Sequence, residues 1–111
     1  MNRDIDGVEG SGKGALLRTR RMRTLWEELR RRLQEQRESG NALRLLDELF
    51  ANPYMTAPRA AELLGVTTAG ARRILDRLAQ ARILEYYGDR WPRLYVLREL
   101  VDIIEAPTAA E

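Results

Sequence analysis

The sequence predicts a mainly α fold: a winged helix-turn-helix, with a three-helix core plus two-stranded wing, preceded by a long N-terminal helix. Three observations carry this. Two alanine-faced amphipathic segments, residues 57–64 and 69–81, flank Gly65. Two short runs of strand composition, Ile83–Tyr87 and Leu94–Leu97, follow them around a Gly88-Asp89 turn. Ahead of both lies an apolar stripe at helical spacing, Met22, Leu25, Trp26, Leu29 and Leu33.

Residues 1–14 are poor in apolar side chains and rich in glycine, which predicts a flexible lead-in. They include GVEGSGKG, Gly7 to Gly14, close to the phosphate-binding pattern GxxxxGK[ST]. That loop needs a buried strand before it and a hydroxyl after the lysine for Mg²⁺. Here Gly14 follows Lys13, and MNRDID is a poor strand, so nucleotide binding is not expected. The segment has no hydrophobic core of a secretory signal.

Residues 15–38 form an arginine-rich amphipathic helix with eight Arg and four Glu. Glu27–Arg31 and Glu28–Arg32 stand at i, i+4 in the favourable order. The first reading of this face is a solvated shell over a packed seam; a nucleic-acid contact and a dimer contact are the others. Ser39-Gly40-Asn41 then punctuates. Gly40 suits the helix end, and Asn41 is placed to cap the next helix, Ala42–Ala51, which is apolar on most sides and stops before Pro53.

A winged domain over 41–105 follows. Thr56 caps the 57–64 helix, and Pro58 falls in its first turn, where a missing N–H costs nothing. Gly65 takes the left-handed turn. Ala60 and Ala61 give the close contact, with Leu64, Val66, Ala71, Ile74 and Leu75 as the apolar set. In such a motif the second helix can enter a major groove. The candidate DNA-binding residues are Thr67, Thr68, Arg72, Arg73 and Arg77 on that helix, with Arg90 and Arg93 on the wing. Arginines suit guanine edges or phosphates, and the threonines suit phosphate at a helix N-terminus. A solvated surface explains these arginines as readily, and Asp76 on or near the same face argues against DNA. Trp91 either joins the wing arginines or packs back onto the domain or a partner chain, and the second is expected. A last helix, Arg98–Glu105, should turn Leu100, Val101 and Ile104 inward, and the tail, 106–111, should fray.

Composition removes several chemistries. There is no Cys and no His, hence no thiolate nucleophile, imidazole base or sulfur- or histidine-ligated metal. No cofactor is expected, and no enzyme activity for this chain. No apolar run reaches the ~20 residues needed to span a bilayer, so no membrane partner is expected and the cytoplasm is the default location. The formal net charge is only +2, but residues 83–111 carry six acids against three Arg, so the basic charge lies upstream.

The run LLDELFANPYMTAPRAAELLGVTTAGARRILDRLAQARILEYYGDRWPRLYVLRELVDII resembles the C-terminal winged-helix segment of bacterial Fic-family proteins. The likeness rests on the helix ending in Asn52-Pro53, on AAELLGVTTAGARRILDRL and on ARILEYYGDRWPRLYVL; upstream, GVEG and the charged helix resemble the end of a Fic core and its connector. The resemblance spans roughly residues 7–105. It departs at Arg82, where the family often has Gly, and the HPFxxGNGR motif is absent. The resemblance implies an accessory, DNA- or protein-binding part of a Fic-like protein. A parent protein would transfer AMP from ATP to a protein hydroxyl, and a Fic catalytic domain or a second copy would be the partner of residues 15–38. The alternative reading is a stand-alone winged-helix transcriptional regulator that binds double-stranded DNA and dimerises through the N-terminal helix.

Overall fold

The computed structural model describes residues 11–106. The order of elements is α1 (Ser11–Glu35), α2 (Gly40–Ala51), β1 (Tyr54–Met55), α3 (Ala57–Leu64), α4 (Thr68–Gln80), β2 (Glu85–Tyr87), β3 (Leu94–Val96) and α5 (Arg98–Glu105). The expected lead-in up to residue 10, the first half of the phosphate-loop string and most of the tail lie outside the described residues. This is a winged helix-turn-helix, mainly helical, with a small antiparallel sheet.

Helix α1 spans 25 residues, roughly 37 Å at 1.5 Å per residue. Leu25, Leu29 and Leu33 repeat every four residues and are buried, with Met22 and Trp26 packed against them. The Trp26 indole N–H donates to Asp47 of α2 at 2.8 Å, and Arg30 covers the ring. The charge pairs differ from the expected ones. Arg31 bonds Glu28 and Glu35, whereas Arg32 reaches across to the Ala81 carbonyl at the end of α4, at 2.6 Å. Arg32 faces a neighbouring helix end, and bare carbonyls there attract a guanidinium.

The α1–α2 join also differs from expectation. Arg37, not Gly40, takes the left-handed conformation, with φ 58°. Its N–H bonds Gln34 and the Glu38 N–H bonds Leu33, which closes the helix end. The chain therefore turns early enough for Ser39 to be extended, and its hydroxyl caps α2 by accepting the Ala42 N–H, leaving Asn41 inside the helix.

The helix-turn-helix follows the sequence closely. Thr56 caps α3 and Thr67 caps α4, the latter by accepting the Gly70 N–H at 3.0 Å. Gly65 sits at φ 69°, ψ 35°, and the Val66 N–H returns to the Ala61 carbonyl. Side chains at φ near +69° are strained, which is why the turn needs glycine. Ala57, Ala60, Ala61 and Ala71 are buried between the helices, so α3 and α4 approach closely; Leu64, Ile74, Leu75 and Leu78 complete that part of the core.

The sheet has three strands where two were expected, in the order β1-β3-β2. Tyr54 and Met55 pair with Val96 and Tyr95. Asn52 starts this strand: its side-chain oxygen accepts the Tyr54 N–H, and the Pro53 carbonyl accepts the Leu97 N–H. A two-residue strand has no periodicity to read. The expected first wing strand also starts late, at Glu85. Arg82 is left-handed (φ 63°), and the Ile83 and Leu84 N–H groups turn back to the Leu78 carbonyl, which drives both side chains into the core. In α5, Leu100 and Val101 are buried, but Ile103 is the next residue to pack inward and Ile104 is exposed. Helix α5 lies on α1, and that contact selects Ile103, which lines a groove with Thr24 and Leu25. Among the described residues no charged residue is buried, and no helix is long and apolar enough to cross a membrane.

Candidate nucleic-acid interface

The cap at Thr67 fixes where α4 begins, and helix periodicity then decides which side chains face out. Ala71, Ile74, Leu75 and Leu78 face the core, so Thr68, Ala69, Arg72 and Arg73 face solvent. The wing brings Trp91 opposite them. These residues and Asp76 line an open cleft of about 480 Å³ between helix and wing.

Arg72 is held from two sides. Its guanidinium carbon lies 4.9 Å from the centroid of the Trp91 ring, and its Nε lies 3.7 Å from Asp76 Oδ2. The other Asp76 oxygen accepts the Tyr95 hydroxyl at 2.6 Å. Tyr95 is fully buried on the central strand. Burial first, and the Asp76 hydrogen bond second, push its phenol above the ordinary value; Arg93 opposes them. Asp76 therefore joins α4 to the sheet. The spacing of Arg72 and Asp76 at i, i+4 was the available signal.

Trp91 packs back onto the domain only in part, through Arg72 of α4. It is 47% exposed and stacks on Arg72. The six-residue loop between β2 and β3 carries a cis Trp91–Pro92 bond.

The other candidates divide. Arg73 is exposed and, among the described residues, makes no hydrogen bond or ion pair; its Nη2 lies 4.0 Å from where a Cβ on Gly70 would stand, so it bends toward the start of α4. Thr67 is occupied as the cap, and Thr68 is exposed in the first turn. Arg90 is exposed on the wing loop. Arg93 lies over the Tyr86 ring at 4.5 Å, beside a separate hollow lined by Ala79 and Gln80. Arg77 stands beyond the cleft, its Nε 3.1 Å from Glu38. Gly70 is close-packed: a Cβ there would meet the Thr67 hydroxyl at 3.1 Å.

No protein-family model matches the chain, and no curated protein matches it. The resemblance to Fic-family proteins is not upheld. The features that suggested it, paired alanines, a glycine turn and a strand-turn-strand, are demands of any winged helix. The charged helix read as a Fic connector is packed into this domain through Leu25, Leu29 and Leu33. Among solved structures, the chain is similar to a MarR family transcriptional regulator from Silicibacter pomeroyi DSS, at 26% identity over 79% of this chain, with a TM-score of 0.50; the match spans 64% of that regulator's chain.

Proposed function

We propose that the protein is a winged-helix transcriptional regulator that binds double-stranded DNA through α4 and the wing. One observation carries this reading: Thr68, Arg72, Arg73 and Trp91 come from two separate elements and line one exposed cleft. The likeness to a MarR family transcriptional regulator supports it. In this reading Arg73, Thr68 and the first N–H groups of α4 meet phosphate, Arg72 faces the groove, and Arg90 and Arg93 extend the contact along the wing. Arg77 braces α4 against the segment after α1. The test is NMR mapping with a random-sequence duplex. Resonances of Thr68, Arg72, Arg73 and the Trp91 indole should shift while those of α5 stay. Shifts confined to α1, or none, overturn the reading.

The regulator is further proposed to pair with a second copy through residues 15–38. Leu16 is 54% exposed and Leu17 37% exposed on α1, and Ile104 is 40% exposed on α5. Arg18, Arg20, Arg21 and Arg23 flank the first two, and Glu99, Asp102 and Glu105 flank the third. The N-terminal half of α1 from one copy therefore complements α5 of another in both charge and apolar surface.

A further inference from the structure

We propose that Arg72 reads a guanine in the major groove, while Arg73 holds phosphate, and that Trp91 and Asp76 are positioning residues for Arg72. This rests on the DNA-binding reading above and assigns its chemistry. Both arginines are exposed neighbours on one helix, so sequence alone leaves their roles open. Their surroundings separate them.

The Arg72 guanidinium lies over the Trp91 ring, 4.9 Å from its centroid, which holds it at the wing side of the cleft. Asp76 approaches through Nε. Neither Nη atom makes a hydrogen bond among the described residues. Those two nitrogens form the fork that matches O6 and N7 of guanine. Asp76 is itself fixed by the buried Tyr95 hydroxyl at 2.6 Å, so the brace runs from the sheet through the carboxylate to the fork.

The carboxylate also selects the ligand. A phosphate at Arg72 would stand beside a second negative charge, and like charges close together repel. A guanine edge is neutral and brings no such cost. Arg73 has no carboxylate partner and leans toward the first turn of α4, where free N–H groups favour an anion.

The experiment is selection of the full chain on a random duplex pool, followed by titration of the enriched site and of versions with single base-pair changes. Wild type should enrich a G·C pair, and its change to A·T should weaken binding about tenfold. Arg72→Ala should equalise the two duplexes. Arg73→Ala should weaken both alike. Trp91→Ala, at an exposed ring, should cut the discrimination several-fold with thermal stability unchanged. Asp76→Asn should cut discrimination yet tighten binding to random duplex, since a freed Arg72 can then take phosphate; a purely structural role for Asp76 would weaken both. Binding with no guanine preference, or a preference that survives Arg72→Ala, overturns the assignment and leaves DNA binding standing. Failure of wild type to bind any duplex overturns both.

Discussion

Arg77 of α4 and Glu38, just past the end of α1, form an ion pair at 3.1 Å in which Glu38 is only 15% exposed. Arg32 crosses the other way, from α1 to the Ala81 carbonyl. Two arginines thus tie the C-terminal ends of α1 and α4 together. Arg77 remains half-exposed, and solvent screens the pair, so its contribution is modest. Arg77→Ala should lower stability by about 0.5–1 kcal/mol, and a double-mutant cycle with Glu38→Gln should return most of that as coupling. Chemical denaturation measures both. Independent, additive effects would show that the pair does not brace the helix.

Among the described residues Gly65, Gly88, Arg37 and Arg82 have a positive φ, and the three at helix ends respond in opposite directions to substitution. Gly65 has φ 69° and open space around it, so Gly65→Ala is penalised by the dihedral alone, about 1 kcal/mol. Arg37 and Arg82 already bear that strain, at φ 58° and 63°. Arg82→Gly should raise stability by about 0.5 kcal/mol, the relief of strain less the added freedom of the unfolded chain. Arg82→Ala removes the same charge without the relief and should not stabilise. Thermal unfolding of the three variants decides this.

These turns mark what the sequence shows and what it conceals. Gly65, the Thr56 and Thr67 caps and the leucine stripe of α1 are legible because each answers a local demand: a dihedral, an orphan N–H or a 3.6-residue period. Arg37 is not legible as a turn, because arginine does not favour the conformation that closes the helix end there, and at Arg82 the one signal is the glycine that the Fic-like pattern often carries. Strand β1 exists only because Asn52 and Pro53 present it to β3. At the interface, the helix positions of Arg72 and Arg73 followed from periodicity, but the stacking of Trp91 on Arg72 joins residues 19 positions apart, and no local pattern signals it.

Tyr95 gives the fold a signature at alkaline pH. Its phenol is pushed above the ordinary value of 10.0, chiefly by burial and then by its bond to Asp76. The folded state therefore favours the protonated form. The associated stability is fully present below pH 10 and is lost as pH rises through the higher folded-state value. In an ultraviolet titration the last tyrosine to ionise should coincide with loss of structure, and Tyr95→Phe should remove that last step. A late step that persists in Tyr95→Phe would assign it elsewhere.

Pairing of two copies is testable by light scattering. Leu16→Glu alters an exposed position, so it should not unfold the chain, but it places an acid where the partner's α5 carries Glu99, Asp102 and Glu105. It should shift the mass toward a monomer, and raised salt should do the same. A wild-type monomer at high concentration would refute this mode of assembly.

The most direct test of DNA binding is the salt dependence of duplex affinity for wild type and for Arg72→Ala plus Arg73→Ala, both confirmed folded. Wild type should bind with a steep negative slope in log affinity against log salt. The double variant should bind more than tenfold more weakly, with a slope shallower by about 0.9, one phosphate contact fewer. Unchanged affinity and slope in the variant, or wild-type binding indifferent to salt, would place any nucleic-acid contact away from α4 and contradict the account.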